Sequence, residues 1–166
     1  PTVYNVCDWD RLMSKPMPES LPKGTVLDFE ARVVPAIRKG SAGQAPNGKE
    51  WRAGQELDAF LSRAWENPEE EISREEVYRD WLRHQFDVRG GAEVDESSIV
   101  MKRFSIERMV RRTHGEDRSV NVLKRPDVTL QGTLKVTEPD SFMDILRSGI
   151  GRHKTFGYGM LKVRRS

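Results

Sequence analysis

The stretch "VTLQGTLKV", residues 128–136, has the most regular pattern in the sequence. Successive side chains of a β-strand point to opposite faces, so a period of two predicts a strand with one buried face. The expected buried set is Val128, Leu130, Gly132, Leu134 and Val136. The polar set between them is Thr129, Gln131, Thr133 and Lys135. We expect this strand to span about 119 to 137.

Three further segments have strand patterns. Residues 25–34, "TVLDFEARVV", alternate apolar and polar residues, and Pro35 marks the end of that strand. Residues 98–112, "SIVMKRFSIERMVRR", are β-branched, apolar and basic. A last strand is expected at about 156–163. The segment 38–50, rich in Gly, Pro, Ser and Asn, is typical of a mobile loop.

Helical patterns lie between these strands. Ser73 with Glu76 predicts a capping box at the start of one helix, which Gly90 and Gly91 end. A shorter helix is expected around 57–65. The apolar stripe of the capped helix is Val77, Tyr78, Trp81, Leu82 and Phe86.

A second capped helix follows the long strand. Thr137 with Asp140 predicts its start and Gly149 its left-handed end, with Phe142, Ile145 and Leu146 on its apolar face. The element order is therefore βαββαβ, an α+β ferredoxin-like domain, which is also the plan of RNA-recognition (RRM-like) modules. We assign residues 25–166 to this domain. Residues 1–24, with four prolines, are expected to be an inter-domain lead-in segment.

Composition narrows the class of protein. At 166 residues, of which 36% are hydrophobic, the chain can build one core. No apolar run approaches the roughly 18 residues of a membrane span. A single cysteine, Cys7, excludes internal disulfides and a Cys-rich zinc site, and it favours a cytoplasmic protein. Because Pro1 opens the sequence, we expect a fragment or processed piece.

Charge is sorted along the chain. Residues 56–80 contain nine acids and three arginines, a net of −6. Residues 101–135 contain nine basic residues and four acids, a net of +5, and residues 145–166 contain six basic residues and no acid. The sorting predicts one acidic face and one basic face that binds a polyanion. The alternative is that the sorted charges serve only to keep the protein soluble.

The segment "GIGRHKTFGYGM", residues 149–160, has two Gly-x-Gly pairs around Arg152, His153 and Lys154. It follows a helix and leads into a strand, which excludes a dinucleotide fingerprint and a P-loop. It imitates an RNA-recognition aromatic motif but lies at the wrong strand, so we expect Phe156 in the core. The three basic residues are instead expected to contact phosphates. The alternative is a tight connection whose charges only face solvent.

A second basic feature is the hairpin of the two middle strands. Such a ribbon can line a nucleic-acid duplex, whereas the alternative is a charged, protected sheet edge. The expected RNA-binding residues here are Arg108, Arg111, Arg112, Arg118, Lys124 and Arg125.

Three histidines are candidates for acid–base chemistry. His84 and His114 are expected on the surface. His153 is the catalytic candidate, because neighbouring cations could stabilise a phosphorane charge. No metal-ligand spacing is present and no cofactor is implied, so RNA cleavage would use the substrate's own 2′-hydroxyl.

The segment "GIGRHKTFGYGML", preceded by "LQGTLKVTEPDSFMDILRS", resembles the C-terminal signature of the CasE family, the repeat-RNA endoribonucleases of type I-E CRISPR Cascade complexes. "LDFEARVVPAIRKG", "SREEVYRDWL" and "IVMKRFSIERMVRR" resemble the first strand, the helix and the next strand of the family's second ferredoxin-like domain, and "CDWDRL" its inter-domain segment.

The resemblance implies a tandem pair of ferredoxin-like domains that binds the CRISPR repeat stem-loop and cleaves it without a metal. It also implies that the product guide RNA stays bound within Cascade. Implied partners are the repeat RNA, other Cascade subunits, particularly the backbone subunit, and an N-terminal ferredoxin-like domain. By motif match, Gly149, Gly151, Gly157 and Gly159 form the family's glycine-rich loop, and Arg152, His153 and Lys154 take its RNA-facing position.

The family's usual catalytic histidine lies near the start of the preceding domain, so no residue here inherits that role. Either that half is a separate or omitted segment, or cleavage is lost. A second hypothesis is therefore a non-catalytic guide-RNA-binding module. A third is a protein-binding domain that uses the acidic helical segment and has no RNA affinity.

Overall fold

The computed structural model describes Asp10, Met13 and residues 16–112 and 120–166, with side chains described up to residue 110 and from residue 122. The predicted order of the main elements is confirmed. The strands are β1 (Val26–Val33), β2 (Ala36–Arg38), β3 (Gly43–Gln44), β4 (Glu50–Trp51), β5 (Glu56–Asp58), β6 (Ala92–Val94), β7 (Val100–Arg112), β8 (Val120–Val136) and β9 (Leu161–Arg165). The helices are α1 (Ala59–Glu66), α2 (Arg74–Arg89) and α3 (Pro139–Ser148).

The main sheet is antiparallel, with the strand order β6–β8–β1–β9. β7 pairs with the same strand, β8, as β6 does. The long strand β8 is thus central, and the first and last main strands, β1 and β9, are neighbours. This α+β arrangement confirms the ferredoxin-like fold that the sequence predicts.

The core lies between one face of this sheet and the helices. The alternation in β8 is confirmed, since Val128, Leu130, Leu134 and Val136 are all buried. Gly132 on the same face leaves room for Phe29 of β1, because a Cβ there would lie 3.0 Å from the Phe29 ring. The helical residues of this core are Ala59, Val77, Tyr78, Trp81, Leu82, Phe86, Phe142 and Ile145.

Both predicted helix caps are wrong in detail. Ser73 precedes α2, but its side chain makes no capping hydrogen bond. Glu75 in the first turn instead accepts a hydrogen bond from the Met101 amide and joins α2 to β7. α3 begins after Glu138 rather than Thr137, because Pro139 has the φ that a first helical residue requires.

Two segments differ from the predicted pattern. Residues 38–50 contain β3 and part of the hairpin with β4, because Trp51 stacks on Trp65 at a ring distance of 5.8 Å and draws the segment onto α1. The last strand begins at Leu161 instead of about residue 156, since a 3-10 turn occupies Lys154–Phe156. That turn leaves Phe156 43% exposed, so its predicted place in the core is wrong.

Within the described ranges, none of the helices is long and apolar enough to span a membrane.

Candidate nucleic-acid interface

The glycine-rich loop, residues 149–160, is closed by backbone hydrogen bonds. The Gly149 amide donates to the Ile145 carbonyl at 2.7 Å and ends α3 with a φ of 68°. Its ψ of 177° is extended, not the left-handed helical value that we expected. The Ile150 amide donates to the Gly159 carbonyl at 2.8 Å, and the Gly159 amide donates to the Arg32 carbonyl at 2.7 Å. The loop is therefore fixed at both ends, beside the end of β1.

Three of its glycines lie against the protein itself. A Cβ on Gly149 would meet the backbone of Gly159, and one on Gly151 would lie 2.8 Å from the Trp81 ring. Gly157 alone of the four has open space around it. The sequence predicts that another group comes close to the backbone of these glycines. In the structure, that group is another part of this chain. Their contact with RNA stays a prediction.

His153 lies at the crest of this loop in the left-handed region, with φ 61° and ψ 30°. No other non-glycine residue in the described ranges has a positive φ. Such a conformation costs on the order of 1 kcal/mol for a residue with a Cβ, and it often marks functional sites. The side chain is only 12% exposed, and its Nε2 atom lies 3.0 Å from Glu56 Oε2.

Glu56, the first residue of β5, contacts Arg152 of this loop and lies near Arg125 of the hairpin. Its Oε1 atom accepts a hydrogen bond from Arg152 Nη1 at 2.8 Å, and its Oε2 atom lies 3.8 Å from Arg125 Nη2. Glu56 belongs to the acidic segment 56–80, for which the sequence predicts a separate face. That separation is wrong here, because attraction between unlike charges interlocks the acidic and basic segments. Lys162 and Arg164 of β9 likewise pair with Glu30 and Asp28 of β1.

An open cleft of about 800 Å³ runs along this cluster. Lys154 lines it, and burial together with the nearby Arg89 guanidinium lowers the pKa of its ammonium group. A bound anion would favour the charged form of Lys154 and reverse that effect. The other lining residues are Arg38, Gly54, Glu56, Leu123, Arg125, Gly151, Arg152, His153, Thr155 and Phe156.

The basic hairpin has one face that borders the cleft and one that faces away from it. Among the described residues, the part of β8 that precedes Val128 pairs only with β7. Arg125 lies on the face of the hairpin that borders the cleft. Arg108 and Lys124 are register partners and exposed on the other face, since neighbouring residues of a strand alternate.

Not every predicted hairpin residue is described. Arg111 and Arg112 continue β7 in register, but their side chains lie outside the described part of the chain. Arg118 and His114 lie outside the described residues altogether.

An ion pair between Arg32 and the buried Asp127 anchors this hairpin to β1. Asp127 is fully buried, and Arg32 donates to both of its carboxylate oxygens, with Nε at 2.9 Å from Oδ1. The hydrogen bonds to Asp127 raise the pKa of the Arg32 guanidinium above its usual value. The same guanidinium lies over the Tyr158 ring of the glycine-rich loop, 4.9 Å from its centre. Burial raises the pKa of the Tyr158 hydroxyl, and the Asp127 carboxylate adds to that effect. Arg32 thus joins β1, the hairpin and the loop.

Sequence reasoning missed Glu56, Arg32 and Asp127. The available signal is weak: Asp127 is the one acidic residue at 120–136. His84 is exposed on α2, as predicted. Among the described residues, no group of three or more His, Cys, Asp or Glu side chains could hold a metal ion.

Solved structures of similar fold are RNA-bound proteins and an RNA-guided assembly. CRISPR endoribonuclease Cse3 bound to a 19-nucleotide RNA is 22% identical at a TM-score of 0.60, over 95% of this chain and 68% of that one. Thermus thermophilus Cse3 bound to an RNA representing a pre-cleavage complex is 21% identical at 0.56, over 90% and 58%. A chain of a CRISPR RNA-guided surveillance complex is 17% identical at 0.55, over 94% and 66%.

At these identities the structures share the fold with this chain, which spans about three fifths to two thirds of their length. No curated protein matches the sequence. A family model described as CRISPR associated protein matches residues 2–165. Because that match covers nearly the whole sequence, the chain belongs to the CRISPR-associated protein family.

Proposed function

We propose that this chain binds the repeat stem-loop of precursor CRISPR RNA. The observation that carries the proposal is the convergence of Arg125, Arg152 and Lys154 along one cleft at the base of a basic hairpin. Membership of the CRISPR-associated family and the RNA bound to Cse3 in two structures of similar fold support it. The ligand is a phosphate backbone, because cations at several positions along a groove match a chain of anions.

The hairpin and the glycine-rich loop have different parts in this binding. Cations on both faces of the hairpin, such as Arg125 and Lys124, allow it to lie between two phosphate strands of a stem. An A-form helix is recognised largely through its shape, phosphates and 2′-hydroxyls, which suits a ribbon whose side chains are cationic. The loop then contacts the phosphates at one end of that stem.

We further propose that the bound repeat is cleaved by metal-independent transesterification. The 2′-hydroxyl attacks the adjacent phosphorus, its proton passes to a base, and the 5′-oxygen leaves with a proton from an acid. His153 is the acid–base candidate within this chain, and the guanidinium of Arg152 would stabilise the phosphorane charge. The cleaved guide RNA keeps the same phosphate contacts, so it remains bound within a Cascade-like assembly that includes the backbone subunit.

A second candidate function is guide-RNA binding without cleavage. The observation that favours it is the environment of His153, whose ring is nearly buried and whose Nε2 atom faces the Glu56 carboxylate. A ring nitrogen held in this way has to leave its partner before it can exchange a proton with RNA. Under this candidate the His153 side chain shapes the cleft and another segment or chain supplies the acid and base.

Incubation with end-labelled repeat RNA in EDTA decides between these candidates. We expect cleavage by the 166-residue chain, loss of cleavage in His153→Ala, and full cleavage in His84→Ala, an exposed histidine outside the loop. Tight binding with no cleavage would support the second candidate. The absence of any RNA affinity would contradict both and would support a domain that binds only proteins.

A further inference from the structure

The Glu56 carboxylate lies among three side chains that could hold an anion, Arg125, Arg152 and His153. Its Oε1 atom bonds Arg152, and its Oε2 atom faces His153 and Arg125, so both oxygens contact cationic or hydrogen-bonding side chains. The side chain is 21% exposed on the wall of the cleft. A carboxylate with two oxygens and one negative charge presents the same acceptors as the two non-bridging oxygens of a phosphodiester.

A second observation is that one hydrogen-bond donor of this cluster, in Arg125, has no acceptor within the described part of the chain. The Nε–H group of Arg125 is buried and has no hydrogen-bond partner among the described residues. Glu56 Oε2 lies 3.8 Å from the Arg125 Nη2 atom, which is beyond hydrogen-bond distance. A buried donor without a partner is costly, so a ligand oxygen that reached Arg125 would bind favourably there.

We propose that Arg125, Arg152 and His153 form a phosphate subsite that Glu56 occupies until RNA displaces it. The inference rests on the proposed function, in that the displacing phosphate belongs to the bound RNA. Glu56 would thereby weaken the binding of any polyanion that contacts the cleft alone. Only an RNA that also contacts hairpin cations outside the cleft, such as Lys124, gains enough affinity to displace the carboxylate, so Glu56 determines specificity.

The local structure allows this displacement. Glu56 begins β5, which pairs with β2 through three residue pairs and is not part of the main sheet. Rotation of the Glu56 side chain moves its carboxylate into the open cleft without breaking that pairing. Since one anion replaces another, the exchange releases fewer counterions than a contact with an unoccupied arginine would.

Glu56→Gln tests the proposal through the salt dependence of repeat-RNA binding. The matched control is Glu30→Gln, which removes the same charge and also frees a cation, Lys162, away from the cleft. We expect Glu56→Gln to bind about threefold to tenfold more tightly at moderate salt, with a log–log salt slope steeper by about 1. Glu30→Gln should bind like the wild-type chain. Arg152→Gln should bind repeat RNA more weakly than the wild-type chain does, because it removes a cation of the subsite. Unchanged or weaker RNA binding by Glu56→Gln would overturn the proposal.

A measurement without RNA separates this inference from the proposed function. Inorganic pyrophosphate should raise the melting temperature of Glu56→Gln more than that of the wild-type chain or of Glu30→Gln. Equal shifts in all three proteins would overturn the subsite. If no protein binds RNA but pyrophosphate stabilises Glu56→Gln selectively, the subsite stands and the proposed RNA function fails.

Discussion

A Cβ atom on Gly149 would lie 2.5 Å from the carbonyl oxygen of Gly159, closer than non-bonded atoms allow. The two segments that begin and end the glycine-rich loop cross at this point. The hydrogen bond from the Ile150 amide to the Gly159 carbonyl, 2.8 Å long, joins them. The loop that presents His153 therefore depends on the absence of a side chain at its base.

Replacing Gly149 with alanine should destabilise the chain by about 2–4 kcal/mol. Its φ of 68° is unfavourable for alanine, and the new Cβ atom would displace the Gly159 backbone. Gly157→Ala is the control, because φ is 83° there but nothing lies within 4 Å of the added atom. That variant should lose only about 1 kcal/mol. Urea unfolding measures both values, and equal losses would contradict the crossing at Gly149.

The ion pair of Arg32 and Asp127 should respond asymmetrically to substitution. Asp127 is fully buried, whereas half of the Arg32 side chain is exposed. Arg32→Met leaves a buried carboxylate without its partner and should cost about 3 kcal/mol of unfolding free energy. Asp127→Asn leaves a guanidinium that water can solvate, so it should cost less. The double variant should be more stable than Arg32→Met alone, and strict additivity in urea unfolding would contradict this account.

Acid should destabilise the fold through exposed and half-exposed carboxylates. Hydrogen bonds from Lys162 and Gln131 lower the pKa of Glu30, and a hydrogen bond from Lys39 lowers the pKa of Glu66. A carboxyl whose pKa is lower in the folded state stabilises the chain above its unfolded pKa, about 4.5 for glutamate, and loses that contribution as pH falls through the folded pKa. Glu30→Gln with Glu66→Gln should therefore flatten the decline of unfolding free energy as the pH falls below about 4.5. An identical decline in the double variant and the wild-type chain would show that Glu30 and Glu66 do not cause the loss of stability in acid.

Each face of the hairpin should have its own effect on RNA affinity. Arg108→Gln with Lys124→Gln removes two exposed cations and should reduce the log–log salt slope by about 2. Arg125→Gln with Arg152→Gln should reduce it by about 1, because Glu56 already neutralises part of their charge. Filter binding from 50 to 400 mM salt measures both. Equal slopes for the two double variants would argue against neutralisation by Glu56.

The arginines at the end of β7 extend the same prediction. Replacing Arg111 and Arg112 with glutamine should weaken repeat-RNA binding and reduce its log–log salt slope by about 2. Lys162→Gln is a suitable control, since that cation is paired with Glu30 away from the cleft. Unchanged affinity and salt slope in the arginine variant would show that the end of the hairpin does not contact the RNA.

The sequence predicts those parts of the fold that depend on neighbouring residues. The alternation from Val128 to Val136 identifies a strand and its buried face because side-chain direction repeats every two residues. Gly90 ends α2 as expected, since a positive φ is a local requirement. The Ser73 capping box fails because a hydrogen bond also requires that the side chain be oriented towards the helix amides.

The site is harder to predict because its contacts are distant in sequence. Glu56 and Arg152 are 96 positions apart, and no pattern near either residue indicates the other. Arg32 and Asp127 are 95 positions apart and look like ordinary polar positions of two strands. Phe156 was misplaced because its apolar character says nothing about the turn that exposes it.

The two-faced hairpin has a consequence for saturation mutagenesis. Along Leu123, Arg125 and Asp127 each side chain faces the loop and its anchoring contacts, whereas Val122 and Lys124 face away. A profile of tolerated substitutions should therefore oscillate with a period of two along this strand. Substitutions at Leu123 and Asp127 should mainly reduce solubility, whereas substitutions at Lys124 should mainly reduce RNA retention and those at Arg125 should also reduce it.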